Sequence, residues 1–168
     1  HEIYDCGELE RIVAEFATMC GEKLRRQGSL CRAIHCFVMT NRHRADQPQH
    51  VEEAVHRFTT ATDSTLSLVK AGRELLRTIY RTGYGYKKAG ITLGGFEVRG
   101  TQQQSLFEAP SDPRHERLME VMDQVNRHYG QRTLKTAAEG QKPFKMNREH
   151  VSRRYTTEWS ELLTVKAK

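Results

Sequence analysis

The sequence predicts an α+β fold of the ferredoxin-like, split βαβ kind, with its first strand missing or truncated. Three observations predict it. Apolar residues recur at helical spacing over 5–28 and 63–83, they alternate at strand spacing in three other segments, and the order is helix, strand, strand, helix, strand. Such a sheet carries both helices on one face and leaves the other open. An open face needs a purpose or a covering.

The first helix opens at Asp5, an N-cap with Glu8 three residues on to close a capping box. Leu9, Ile12, Val13, Phe16, Met19, Cys20 and Leu24 mark its apolar face, and Gly28 supplies the stop. Leu30 to Thr40 alternates as a strand, with Ile34, Cys36 and Val38 on one face and Ala33, His35, Phe37 and Met39 on the other. The polar stretch 41–49 reads as a loop, and Ala54 to Thr62 as a second strand of poorer alternation. Asp63 or Ser64 caps the second helix, whose face is Leu68, Val69, Gly72, Leu75, Leu76, Ile79 and Tyr80 and whose end is Gly83. Tyr84 to Phe96 is the third strand, in which Ala89, Ile91 and Leu93 alternate with Lys88, Gly90 and Thr92.

After residue 97 the character changes, which divides the chain into a domain over 1–97, a linker over 98–111 and a small helical extension over 112–168. In the extension Asp112 and Pro113 occupy the N-cap and first helical positions, Leu118, Val121, Met122 and Val125 form a stripe, and Gly130 ends the helix. Gln131 to Gly140 has turn and short-strand character. The tail from Lys142 is basic, with Phe144, Tyr155 and Trp159 as aromatics and a short helix expected near Thr156 to Leu163. The linker holds Gln103-Gln104-Ser105-Leu106-Phe107. Two adjacent apolar side chains on a tether either plug a pocket on another protein or pin the linker to this protein's own surface. The local residues leave both readings open.

A net charge of +6 over 168 residues, with a pI near 9.3, points to a polyanionic partner. No apolar run approaches the ~20 residues of a membrane span, and the start carries no signal-peptide pattern. Four scattered cysteines (Cys6, Cys20, Cys31, Cys36) fit a reducing, cytoplasmic setting better than a disulfide framework. The abrupt start at His1, almost directly into a helix, reads as a fragment. No pair of carboxylates sits where a strand would present both to a metal, and Gly83-Tyr84-Gly85 and Gly94-Gly95 lack the residues of a phosphate cradle. Cys31 and Cys36 on one strand would point to opposite faces, with no second pair at zinc spacing. The expectation is a chain without catalytic residues, metal ligands or a cofactor of its own.

Several segments together resemble the C-terminal part of UmuC-type (MucB/RumB-like) error-prone DNA polymerases of the Y family. Glu22-Lys23-Leu24-Arg25 resembles the end of that family's first little-finger helix, and Phe37-Val38-Met39-Thr40 its "VFVKT" strand. Tyr86-Lys87-Lys88-Ala89-Gly90 resembles its "YxKAG" strand, Gln103 to Phe107 sits where the family carries its sliding-clamp peptide, and Ser152 to Trp159 resembles the "SPxYTTxW" signature of the C-terminal extension. The likeness covers essentially the whole chain. It departs from the family at Met39, where a Lys would stand, at Gln104, usually apolar, and at Arg153 in place of Pro.

The resemblance implies that 1–97 is the little finger, which grips primer-template duplex, and that the palm with its Mg2+-binding carboxylates is absent. Lys87, Lys88, Gly90 and Thr92 would then face DNA from the third strand, with Gly90 allowing close backbone approach, and Arg32, Arg42 and Arg44 would add charge. Gln103, Ser105, Leu106 and Phe107 would bind the β sliding clamp. Tyr155 and Trp159 would contact a UmuD′-like accessory dimer or the RecA filament, or fold the extension back onto the third helix. Two other functions compete: an adaptor working only through the Gln-Leu-Phe peptide and tail, and an RRM-like RNA-binding module, for which Phe37 is the one clear stacking candidate.

Overall fold

A computed structural model describes residues 2–100, 113–141 and 160. Helix α1 (Cys6–Gln27), strands β1 (Ser29–Thr40) and β2 (Val51–Thr62), helix α2 (Thr65–Ile79) and strand β3 (Tyr86–Val98) follow one another as expected. Helix α3 (Pro113–Tyr129) and a 3-10 turn, Ala137–Glu139, come after them. The sheet order is β2-β1-β3, and β1 runs antiparallel to both neighbours. The strands β2 and β3 are therefore parallel, joined through α2 and split by β1. Ile3 exchanges two backbone hydrogen bonds of 2.9 Å with Tyr86, on the edge of β3 away from β1.

The helix ends follow local chemistry. The Asp5 carboxylate accepts from the Glu8 N–H at 2.7 Å, and Gly28 closes α1 in the left-handed region (φ 67°). Ser64, not Asp63, caps α2. Helix α2 stops at Tyr80 rather than at Gly83: the Tyr80 backbone turns extended, its hydroxyl donates to the Tyr4 carbonyl at 2.7 Å, and its ring lies against Tyr86. The segment 131–140 forms a turn and the 3-10 turn, with no strand among the described residues.

One face of the sheet is covered by α1 and α2. The α1 residues buried there include Ala14, Ala17 and Gly21, whereas Met19 is exposed and Phe16 and Cys20 are only partly covered. Small side chains let the helices approach closely; a methyl group on Gly21 would meet Thr65 Oγ1 at 2.9 Å. The core has two clusters, one around Ala14, Leu24, Ile34 and Leu68, the other around Leu9, Val13, Val38, Leu76 and Tyr86.

The cysteine expectation needs correction. Cys31 lies in the first cluster and Cys36 in the second, so both point to the helix side. The β1–β2 register slips between Cys31 and Ala33, and the alternation of β1 breaks there. Burial pushes both thiols up to about 12.

Candidate nucleic-acid interface

The face of the sheet away from the helices is a grid fixed by the register. Met39 sits between Val51 and Lys88, Phe37 between Glu53 and Gly90, His35 between Val55 and Thr92, and Ala33 between Arg57 and Gly94. Lys88, Thr92, Val51, Val55 and Arg57 are exposed, and Phe37 and Met39 are partly covered. His35 Nε2 lies 3.2 Å from the Glu53 carboxylate.

The distinctive local feature is a bulge. Thr40 pairs with Tyr86 and Met39 with Lys88, so one step on β1 faces two on β3 and Lys87 is the extra residue. On one side of it Tyr86 turns into the helix-side core, where its hydroxyl lies 3.0 Å from His50 Nδ1 and accepts from the Arg81 N–H at 2.9 Å. On the other side the chain resumes open-face alternation at Lys88. Both lysines are left exposed at the rim, and neither they nor exposed Arg42, in the loop after β1, forms an ion pair among the described residues.

The expected DNA-contact residues do not form one patch. Lys87, Lys88, Arg42 and Arg44 gather at one end of the sheet, but Arg44 forks onto Asp46 at 3.1 and 2.7 Å, which offsets its charge. Thr92 is midway along β3. Arg32 is at the far end, about 23 Å from Met39 by strand rise, paired with Glu97 and donating to the Thr59 carbonyl at 2.9 Å. Gly90 is buried: the Phe37 ring occupies the space over it, so close approach there is taken up inside the sheet. Arg57 was not among the expected residues, although β2's own alternation of Val51, Glu53, Val55 and Arg57 carries the signal. Gln103, Ser105, Leu106, Phe107, Tyr155 and Trp159 lie outside the described residues. Among the described residues no three His, Cys, Asp or Glu side chains gather to hold a metal, and no helix is long and apolar enough to cross a membrane.

The described residues thus form an α+β module: an antiparallel sheet backed by helices on one face, with exposed cations at the rim of the other. Comparison with known proteins gives it a family. Residues 1–106 match the impB/mucB/samB family C-terminal domain, and 116–165 match a domain of unknown function (DUF4113). The chain is 36% identical to protein UmuC of Salmonella typhimurium over 98% of its length and 39% of the relative's. It is 32% identical to protein MucB of Escherichia coli over 90% of its length and 36% of that protein. With protein ImpB of Salmonella typhimurium the identity is 30%, over 95% of this chain and 38% of the relative. The chain belongs to the impB/mucB/samB family and corresponds to its C-terminal part. It spans under two-fifths of the length of these relatives.

Proposed function

We propose that this chain is the noncatalytic C-terminal part of a cytoplasmic translesion (SOS, error-prone) DNA polymerase. It grips primer-template duplex through the open sheet face and tethers the enzyme to the β sliding clamp and to accessory proteins. The Mg2+ chemistry would belong to a palm domain outside these residues. The observation that carries the reading is the bulge that leaves Lys87 and Lys88 side by side, exposed and without ion-pair partners among the described residues, at the rim of that face in a chain of this family.

Phosphates attract such cations through released counterions, without reading bases. That suits an enzyme that must accept damaged templates. The face is otherwise mixed: Glu53, on the edge strand β2, stands beside His35, so affinity should concentrate at the lysine end. The RNA-binding alternative fares worse, because Phe37, its stacking candidate, is packed onto Gly90.

The test is duplex-DNA binding by fluorescence anisotropy over a salt series. Lys87→Ala/Lys88→Ala should flatten the plot of log affinity against log salt by about 2. An unchanged slope would place the DNA contact elsewhere.

A further inference from the structure

The segment 113–141 lies against α1, and few apolar side chains hold it there. Met119 is buried and Ala138 packs against the first core cluster, while Leu118, Val121, Tyr129 and Leu134 stay exposed. Polar contacts supply the rest, along one stripe of α1. Arg25 forks onto the Asp123 carboxylate at 2.7 and 2.8 Å. Thr18 donates to Glu139 at 3.1 Å, and Gly140 lies directly over the Arg11 side chain.

At the centre of this stripe two carboxylates are withdrawn from water, Glu15 at 3% and Glu139 at 1% exposure. One guanidinium serves both: Arg132 Nη1 donates to Glu15, and Nη2 to Glu139 at 3.4 Å. Arg132 is also the one non-glycine residue with positive φ (70°) among the described residues. A left-handed backbone is costly for an arginine, and its retention marks a position where aiming the side chain matters more than local comfort. Glu139 is held in turn by the Thr136 N–H at 2.8 Å and hydroxyl at 3.1 Å, so its carboxylate cannot swing out to water without undoing the 3-10 turn.

We propose that residues 113–141 are a latched arm, and that Arg132 is the key that holds them on α1 by bridging the buried carboxylates of Glu15 and Glu139. Removing one partner from a buried ionic cluster costs far more than the cluster contributes when complete, because a charge is stranded. With the Arg132 charge gone, lifting the arm hydrates the buried Glu139 carboxylate. The little finger keeps its own core. The arm's partners Glu15, Thr18 and Arg25 all lie on α1, which covers the sheet face opposite the lysine rim. This gives the unit matched by the domain of unknown function a mechanical role: it is a second body clipped to the back of the first.

The test is hydrogen exchange by mass spectrometry on the full chain. Arg132→Ala should speed exchange across 113–141 by about tenfold or more and leave the amides of β1 protected as before. Arg132→Ala/Glu139→Gln should restore part of the protection, since the Glu139 charge is removed while the amide oxygen still accepts from Thr136 and Thr18. Unchanged exchange in the arm would overturn the proposal. So would acceleration shared equally with β1, or a loss that Glu139→Gln fails to lessen.

Discussion

The ring of Phe37 occupies the side-chain space of Gly90 on the neighbouring strand, and a methyl group built there would meet ring carbons at 2.6 and 2.7 Å. The glycine makes room for a ring on the sheet face away from the helices. Gly90→Ala should therefore lower stability by about 1–3 kcal/mol, as overpacking does. The variant Phe37→Ala/Gly90→Ala should cost less than the sum of its single changes, because the first removes what the second strikes. Urea denaturation of the four proteins checks both statements; full additivity would mean that the ring does not depend on the glycine.

The four thiols should separate cleanly by reactivity. Cys31 and Cys36 are buried and pushed up to about 12 by desolvation, while Cys6 and Cys20 are partly exposed and raised less. A thiol-exchange reagent near pH 8 should label Cys6 and Cys20 in the native protein and reach the other two only on unfolding. The linkage sign follows from the direction of the shift. A thiol whose folded value lies above its unfolded value contributes stability that is complete below about pH 9 and is lost as pH rises towards 12. Cys36→Ala should accordingly show a shallower fall of Tm across that alkaline window than the unaltered protein.

Which features could be read from residues, and which could not, follows from the range over which each is decided. Asp5, Ser64 and Gly28 act within one helical turn, so both ends of α1 and the start of α2 were legible. The end of α2 at Tyr80, set by its contacts with Tyr4 and Tyr86, was not. The alternation of β1 from Ala33 to Met39 and of β3 from Lys88 to Leu93 was legible for the same reason. The two register slips were not. Each is a negotiation between strands: at Cys31/Ala33 the far partner jumps from Thr62 to Arg57, and at Met39/Thr40 the extra residue Lys87 turns Tyr86 to the other face. Strict alternation therefore misplaced Cys31. It also gave no sign that Lys87 and Lys88 would both stand exposed at the rim. Gly90 is a third case. A glycine in a strand signals close approach, but only the cross-strand register tells whether a ligand or a neighbouring ring fills the space.

Glu10 joins the two helices by accepting from Arg77 and Arg73, which holds its carboxyl below the usual carboxylate range; the Arg77 hydrogen bond is the largest cause. Both arginines are open to water, so solvent screening keeps the contribution of the link small. A carboxylate with a depressed folded pKa stabilises above its unfolded value, and that contribution disappears as pH falls through the folded one. Glu10→Gln should thus lower Tm at neutral pH, and the gap to the unaltered protein should close in acid. A gap that persists unchanged at low pH would show that the packing of the glutamate stem, not its charge, is what the helices use.

The proposed clamp tether rests on Gln103 to Phe107 and makes a demand independent of the proposed DNA face. If Leu106 and Phe107 fill an apolar pocket on the β sliding clamp, each buried side chain contributes roughly 1.5–3 kcal/mol. Leu106→Ala/Phe107→Ala should then weaken binding to immobilised clamp by well over tenfold while leaving duplex-DNA affinity and its salt slope untouched. Gln104 occupies a position that the resemblance gives to an apolar residue, so Gln104→Leu should tighten the same interaction. These two variants move in opposite directions only if the peptide is a ligand. Were it an anchor onto this protein's own surface, the double alanine variant would instead lower Tm, and clamp binding would be absent from the start.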